Sequence, residues 1–160
     1  MGTNPTKAMD NIYCRCRKEA AKYNDKLNSR EGAAELLGVS TSSLADYELG
    51  NTKVVPVDKV VLMADLYNAP EIKNYYCTHE CPIGQVTIHK LEVAEFDRLT
   101  IKLLAALRNM TCVKETIIEI AADGTISDNE RPQLDKVLEA LDLISIHGQE
   151  LRLWAEKNLK

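Results

Sequence analysis

Ser29-Arg30-Glu31-Gly32-Ala33-Ala34-Glu35-Leu36-Leu37-Gly38-Val39-Ser40-Thr41-Ser42-Ser43-Leu44-Ala45-Asp46-Tyr47-Glu48-Leu49-Gly50 is the segment that decides the fold. Ser29 is a natural N-cap, because its hydroxyl can accept from a backbone N–H that a helix start leaves orphaned. The helix it opens runs to Leu37, and Gly38 suits the left-handed conformation that ends helices. Ser40 can cap a second helix, which closes at Gly50. Ala33-Ala34 and Leu36-Leu37 form a small, apolar inner face. Leu44 and Tyr47, three apart, can anchor the second helix on it. Two short helices joined by a tight turn at Leu37-Gly38-Val39-Ser40 are therefore expected.

Upstream, a helix is expected from about Asp10 to Asp25. Its Arg15, Lys18, Lys22 and Lys26 follow a +3, +4, +4 spacing and would share one face. Six basic and two acidic side chains lie between Arg15 and Arg30, so this region is locally positive although the chain carries −4 overall. Downstream, Pro56 stands at a helix start, where its missing N–H costs nothing. Val57, Val60, Val61, Ala64 and Leu66 continue that helix to Tyr67. Pro70 begins another through about Tyr76. Five helices thus precede Cys81-Pro82-Ile83-Gly84, a breaker cluster that reads as the boundary of a first domain, residues 1–84.

Residues 85–160 have a different texture. Val93, Phe96, Thr100, Leu103, Leu107 and Met110 form one helical stripe, and Val113, Ile117 and Ile120 a shorter one. Ser127 and Glu130 fit a capping box for a long helix from about Asp128 to Asn158. Along it Leu134, Val137, Leu141, Ile144, Gly148, Leu151 and Ala155 keep a heptad spacing, with Leu138, Trp154 and Leu159 widening the apolar face. A long helix folding back on two shorter ones is the economical arrangement, a helical hairpin of coiled-coil type. Such a hairpin buries its face fully only against a partner, so homodimerisation through residues 88–158 is expected. The whole chain reads as all-α.

Composition agrees. With 45% apolar, 28% charged and 5% aromatic residues, the chain is globular in character and suited to helix packing. It contains no apolar run long enough to span a bilayer. The N-terminal MGTNPTKAMDN lacks the apolar core of a secretory signal. A cytoplasmic protein is the default.

A helix that reads duplex DNA must enter the major groove with small or hydrogen-bonding side chains near its N-terminus, braced by a second helix across the backbone. Residues 29–50 supply that layout. Ala34-Glu35-Leu36-Leu37-Gly38-Val39-Ser40, then Leu44, Tyr47, Glu48 and Gly50, resemble the XRE family of lambda-repressor-like helix-turn-helix transcriptional regulators. The resemblance spans roughly residues 10–80. Tyr76-Cys77 and Cys81-Pro82-Ile83-Gly84 are further similar to a clostridial-type subgroup with a C-terminal helical domain. The resemblance implies a five-helix DNA-binding domain in a sequence-specific regulator of double-stranded DNA. It implies base reading by Thr41, Ser42 and Asp46, with Ser40 beside them among the DNA-binding residues, and phosphate contacts by Arg30, Asn51 and Lys53. The basic face of the first helix offers Arg15, Lys18 and Lys22 as further phosphate contacts. It also implies that Glu48 pairs with a basic side chain of the first helix, for which Arg17 is the candidate.

Other readings of the same residues are blander. Cys14, Cys16, Cys77 and Cys81 could gather a zinc ion, but C-x-C and C-x3-C are looser than the usual C-x2-C pairs, and cysteines on helices pack well as small apolar residues. Cys112 also reads as packing. Glu119 to Glu130 imitates a calcium loop with Gly124 in sixth place, but Ala121 occupies a ligand position. His79, His89 and His147 are scattered and pair with no nucleophile pattern, so neither an enzyme nor a cofactor is expected. Thr41 to Leu49 contains no Arg, Lys, Gln or Asn, and Asp46 repels phosphate. A protein-interaction adaptor that uses this fold without binding DNA is the alternative.

Overall fold

A computed structural model describes residues 10–159 of the chain; Gly2, Lys7 and the rest of the N-terminal segment lie outside them. The described residues are helical and contain no strand. They form two compact units, one reaching Lys90 and the other starting at Leu91.

The first unit begins with α1, Ile12–Ala20, whose N-cap Asn11 accepts from the Tyr13 N–H at 2.8 Å. This helix stops well short of Asp25. Asn24 turns the chain into a 3-10 helix, Asp25–Asn28, which drives Leu27 fully into the core. The single basic face expected from Arg15 to Lys26 is therefore broken: Lys22 lies in the turn after α1, and Lys26 lies 3.8 Å from Glu35.

Helix α2, Arg30–Leu37, is capped by Ser29, which accepts from the Gly32 N–H. It ends at Gly38, whose φ of 61° is the left-handed conformation a glycine adopts without strain. The Val39 N–H reaches back to the Ala34 carbonyl, completing a Schellman turn. Lys59 donates to the Leu37 carbonyl at 3.1 Å, placing a cation on the negative end of α2. Helix α3, Thr41–Leu49, repeats the scheme, with Ser40 as N-cap and Gly50 at φ 73°. Helices α4, Val57–Leu66, and α5, Glu71–His79, follow their prolines. Tyr13, Leu27, Ala33, Leu44, Met63 and Ile72 meet in the buried core. Glu80 ties its edge together: one carboxylate oxygen accepts from the Tyr13 hydroxyl and the other from the Val55 N–H.

The Cys81-Pro82-Ile83-Gly84 segment, read as a boundary, instead turns the chain back within this unit. A short helix α6, Gly84–Thr87, lies so close to α5 that a Cβ on Gly84 would sit 2.2 Å from the Cys77 carbonyl oxygen. Gly32 is equally constrained, with a Cβ falling 2.2 Å from the Lys26 carbonyl oxygen.

The second unit contains α7, Phe96–Leu107, α8, Met110–Ala121, and α9, Arg131–Asn158. The long α9 packs along both shorter helices, as the stripe pattern predicts. It begins at Arg131 rather than Asp128, with Pro132 in its first turn. Glu130 folds back to accept from the Ser127 N–H and hydroxyl, so the calcium-like loop is satisfied by its own turn contacts. The buried apolar residues here are few: Leu99, Val113, Ile120 and Val137. Glu150 is buried beside them, accepting from the Glu92 N–H at 2.9 Å and lying 2.9 Å from His147 Nδ1. Cys112 faces solvent rather than a core.

Two of the helical glycines, Gly32 and Gly148, should respond oppositely to alanine. Gly32→Ala forces backbone apart and should cost about 2–3 kcal/mol, as overpacking does. Gly148, with nothing within 4 Å of its Cβ position, should gain about 0.5–1 kcal/mol. Urea unfolding checks both, followed by far-UV circular dichroism for Gly32→Ala and by Trp154 fluorescence for Gly148→Ala.

Candidate nucleic-acid interface

Glu48 lies on the inward face of α3 and is fully buried. A carboxylate removed from water in this way is costly unless cations and donors replace its hydration. Arg17 of α1 supplies two parallel bonds, Nε to Oε1 at 2.5 Å and Nη2 to Oε2 at 3.0 Å. Arg30, the first residue of α2, donates from Nε to Oε2 at 2.7 Å. The remaining Arg17 nitrogen, Nη1, donates to the carbonyls of Leu27 and Asn28 at 2.8 and 3.4 Å. One guanidinium thus joins α1, the 3-10 turn and α3, and a second ties in α2.

Burial alone would push the Glu48 carboxyl up, but the hydrogen bonds and charges of Arg17 and Arg30 outweigh it and hold it below the usual carboxylate range. Burial would likewise lower the Arg17 guanidinium, and Glu48 more than reverses that. Two guanidinium groups on one carboxylate leave the cluster with a net positive charge. Arg17 is sealed, with 3% of its side chain exposed, whereas 31% of Arg30 reaches solvent, so the excess charge emerges at the start of α2. Burial and then Glu48 push the Cys14 thiol above its ordinary value, and Arg17, Lys18 and Arg30 oppose the rise.

The base-reading candidates occupy the start and exposed side of α3. Ser40 Oγ accepts from the Ser43 N–H at 3.0 Å and lies within hydrogen-bond distance of the Ser42 and Ser43 hydroxyls. Ser40 and Ser42 are exposed and Thr41 is half-buried. Asp46 is exposed but not isolated: the Asn51 amide donates to its Oδ1 at 3.0 Å, and the Asn51 N–H to its carbonyl at 2.9 Å. The side chain assigned to a phosphate is therefore engaged in orienting the acid. Lys53 is exposed in the loop that follows, and Arg15 and Lys18 are exposed on α1.

Arg17 and Glu48 are thus paired as the resemblance implies, and Arg30 is brought to the same carboxylate. What sequence reading misses is the second task of Arg17, holding the carbonyls of Leu27 and Asn28. No local pattern reports it, because the acceptors are backbone atoms of an irregular turn. The four cysteines do not gather: Cys14 and Cys16 are buried, Cys77 and Cys81 are half-buried, and Cys81 Sγ accepts from the Gly84 N–H. Among the described residues no group of three or more His, Cys, Asp or Glu side chains is placed to hold a metal ion, and no helix is long and apolar enough to cross a membrane. Comparison with known proteins finds no matching family model, no matching curated protein and no matching solved structure.

Removing the carboxylate leaves two cations facing each other in a site built for three charges. Glu48→Gln should destabilise the first unit by about 3–5 kcal/mol. The pH dependence has a definite sign. A carboxyl depressed in the folded state contributes stability above its unfolded value, about 4.3, and loses it as pH falls through the lower folded value. Wild-type stability should hold near neutrality and fall below about pH 4, and Glu48→Gln should lose that component of the fall. Urea midpoints from pH 7 to pH 3 measure both effects.

Proposed function

We propose that the chain is a DNA-binding transcriptional regulator of the lambda-repressor-like helix-turn-helix type, acting as a cytoplasmic homodimer with no catalytic role. The observation that carries this reading is the Arg17–Glu48–Arg30 cluster. It fixes α3 against α1 and α2 with buried ion pairs and delivers a positive charge at the N-terminus of α2. Rigid presentation of one helix beside an exposed cation is what a duplex reader needs, since phosphate contacts set register and side chains at the start of a helix reach base edges.

In this reading α1 to α5 form the five-helix DNA-binding domain. Arg15, Lys18, Arg30 and Lys53 contact phosphates. Ser42 and Thr41 offer short hydroxyls that bond either class of base, and Asp46, held by Asn51, accepts from a cytosine amino group. Such short arms give a modest sequence preference on top of a larger electrostatic affinity. The second unit supplies dimerisation. Its four buried apolar side chains, against many exposed ones, support a partner of the same kind.

The engagement of Asn51 with Asp46 also favours a second reading, an adaptor that presents α3 to a protein. Binding to duplex fragments, read by fluorescence anisotropy at low salt, separates the two. A regulator binds under these conditions, whereas a chain with no affinity even there is the adaptor. Arg15→Ala and Lys53→Ala should each weaken binding to all sequences alike and lower the slope of log affinity against log salt by about 0.9 per lost contact. Asp46→Ala should instead alter the preference at one base pair. If neither cation changes affinity or slope, the proposed face is wrong.

A further inference from the structure

We propose that two copies of the chain pair through α7, running antiparallel about a twofold axis between Lys102 and Leu103. The inference rests on the homodimer reading above and specifies its surface. Asp97, Ile101, Leu104 and Arg108 recur at +4, +3 and +4, which places them within an arc of about 60° on one face of α7, opposite the buried Leu99. The apolar pair in the middle is open to solvent, Ile101 at 68% and Leu104 at 61%, and Ala105 beside them is small enough to let a second helix approach. Burying side chains of this kind is the main drive for association.

The order of the four residues makes the stripe self-complementary. Under the twofold, Ile101 of one copy meets Leu104 of the other, and Asp97 of one meets Arg108 of the other. A parallel pairing would set Asp97 against Asp97 and Arg108 against Arg108, so the charges select the antiparallel one. Neither charge is used up within the chain. Asp97 Oδ1 accepts from the neighbouring Arg98 N–H at 2.8 Å, and Arg108 makes no ion pair among the described residues. Arg98 and Lys102, which flank the stripe, are drawn aside to Glu92. An isologous contact of this kind closes at two copies, since each stripe is consumed by its mate. The helix has 12 residues, so the contact is small beside the ~1,200–2,000 Å² of tight complexes, and micromolar self-association is the expected strength.

Sedimentation of the full chain over a concentration series tests this. Wild type should pass from monomer to dimer. Asp97→Arg and Arg108→Asp, each replacing two attractions per dimer by two repulsions, should weaken association about tenfold, and the double variant should return to within about threefold of wild type. Ile101→Glu, on the solvent side of the helix, should abolish the dimer while leaving the circular dichroism spectrum unchanged. A wild type that stays monomeric up to about 100 μM overturns both this pairing and the homodimer reading. A wild-type dimer that survives Ile101→Glu, or a double reversal no tighter than either single, overturns the α7 surface and leaves homodimerisation to another face.

Discussion

The first unit depends on a single carboxylate that has no contact with water. Glu48 can be buried because Arg17 and Arg30 replace its hydration shell with directed donors, and the geometry allows few alternatives. Arg17 must lie at a definite angle to reach both oxygens. Its third nitrogen then demands a carbonyl, which the turn at Leu27 and Asn28 provides. The early end of α1 suits that demand, because a helix continued to Asp25 would carry Leu27 away from both the core and Arg17. A buried triad of this kind contributes little net stability compared with an apolar replacement. Its directed bonds tie α1, α2 and α3 to one carboxylate, so separating them would leave a buried charge unpaired.

The second unit solves a similar problem less completely. Glu150 is buried and accepts from the Glu92 N–H, with His147 against its other oxygen, so both of its oxygens are engaged. The apolar surface of the unit is less well covered. The three helices bury Leu99, Val113, Ile120 and Val137, while Ile101, Leu104, Ile118 and Leu143 remain largely in solvent. A three-helix hairpin has too little interior for the apolar residues this sequence carries, because the ratio of surface to volume is high in so small a unit. The excess lies on faces open to solvent. Chemistry therefore divides along the chain: a closed, charge-locked unit that offers a cationic helix start, and an open unit that offers apolar surface.

Residues 29–50 carried their structure in local code. Ser29, Gly38, Ser40 and Gly50 bracket two helices by side-chain acceptors and left-handed glycines, interactions that act within a few residues and so are legible without neighbours. The all-α class and the fold-back of α9 on α7 and α8 were legible for the same reason, since helical periodicity needs no tertiary information. Periodicity misled where a polar pattern continued past the helix that made it. Arg15, Lys18, Lys22 and Lys26 keep helical spacing, yet the burial of Leu27 ends the helix before the last two. The turn at Cys81 to Gly84 was misread for the converse reason. Proline and glycine there signal a chain reversal, and whether it leaves the unit or returns to it is decided by the close approach of Gly84 to α5.

The sequence by itself determined where helices start and stop between Ser29 and Gly50, which residues lie inward, and that a locally positive segment stands in a chain that is negative overall. These follow from caps, periodicity and charge, all short-range quantities. Tertiary structure alone decided that Arg17 would also grip the carbonyls of the turn that follows its helix, and that Arg30 would share Glu48. Such pairings join residues that packing brings together, and their energies depend on how far each group is removed from water. Burial is a property of the folded whole, so it is there that the two capped helices legible in residues 29–50 acquired their shared charge cluster.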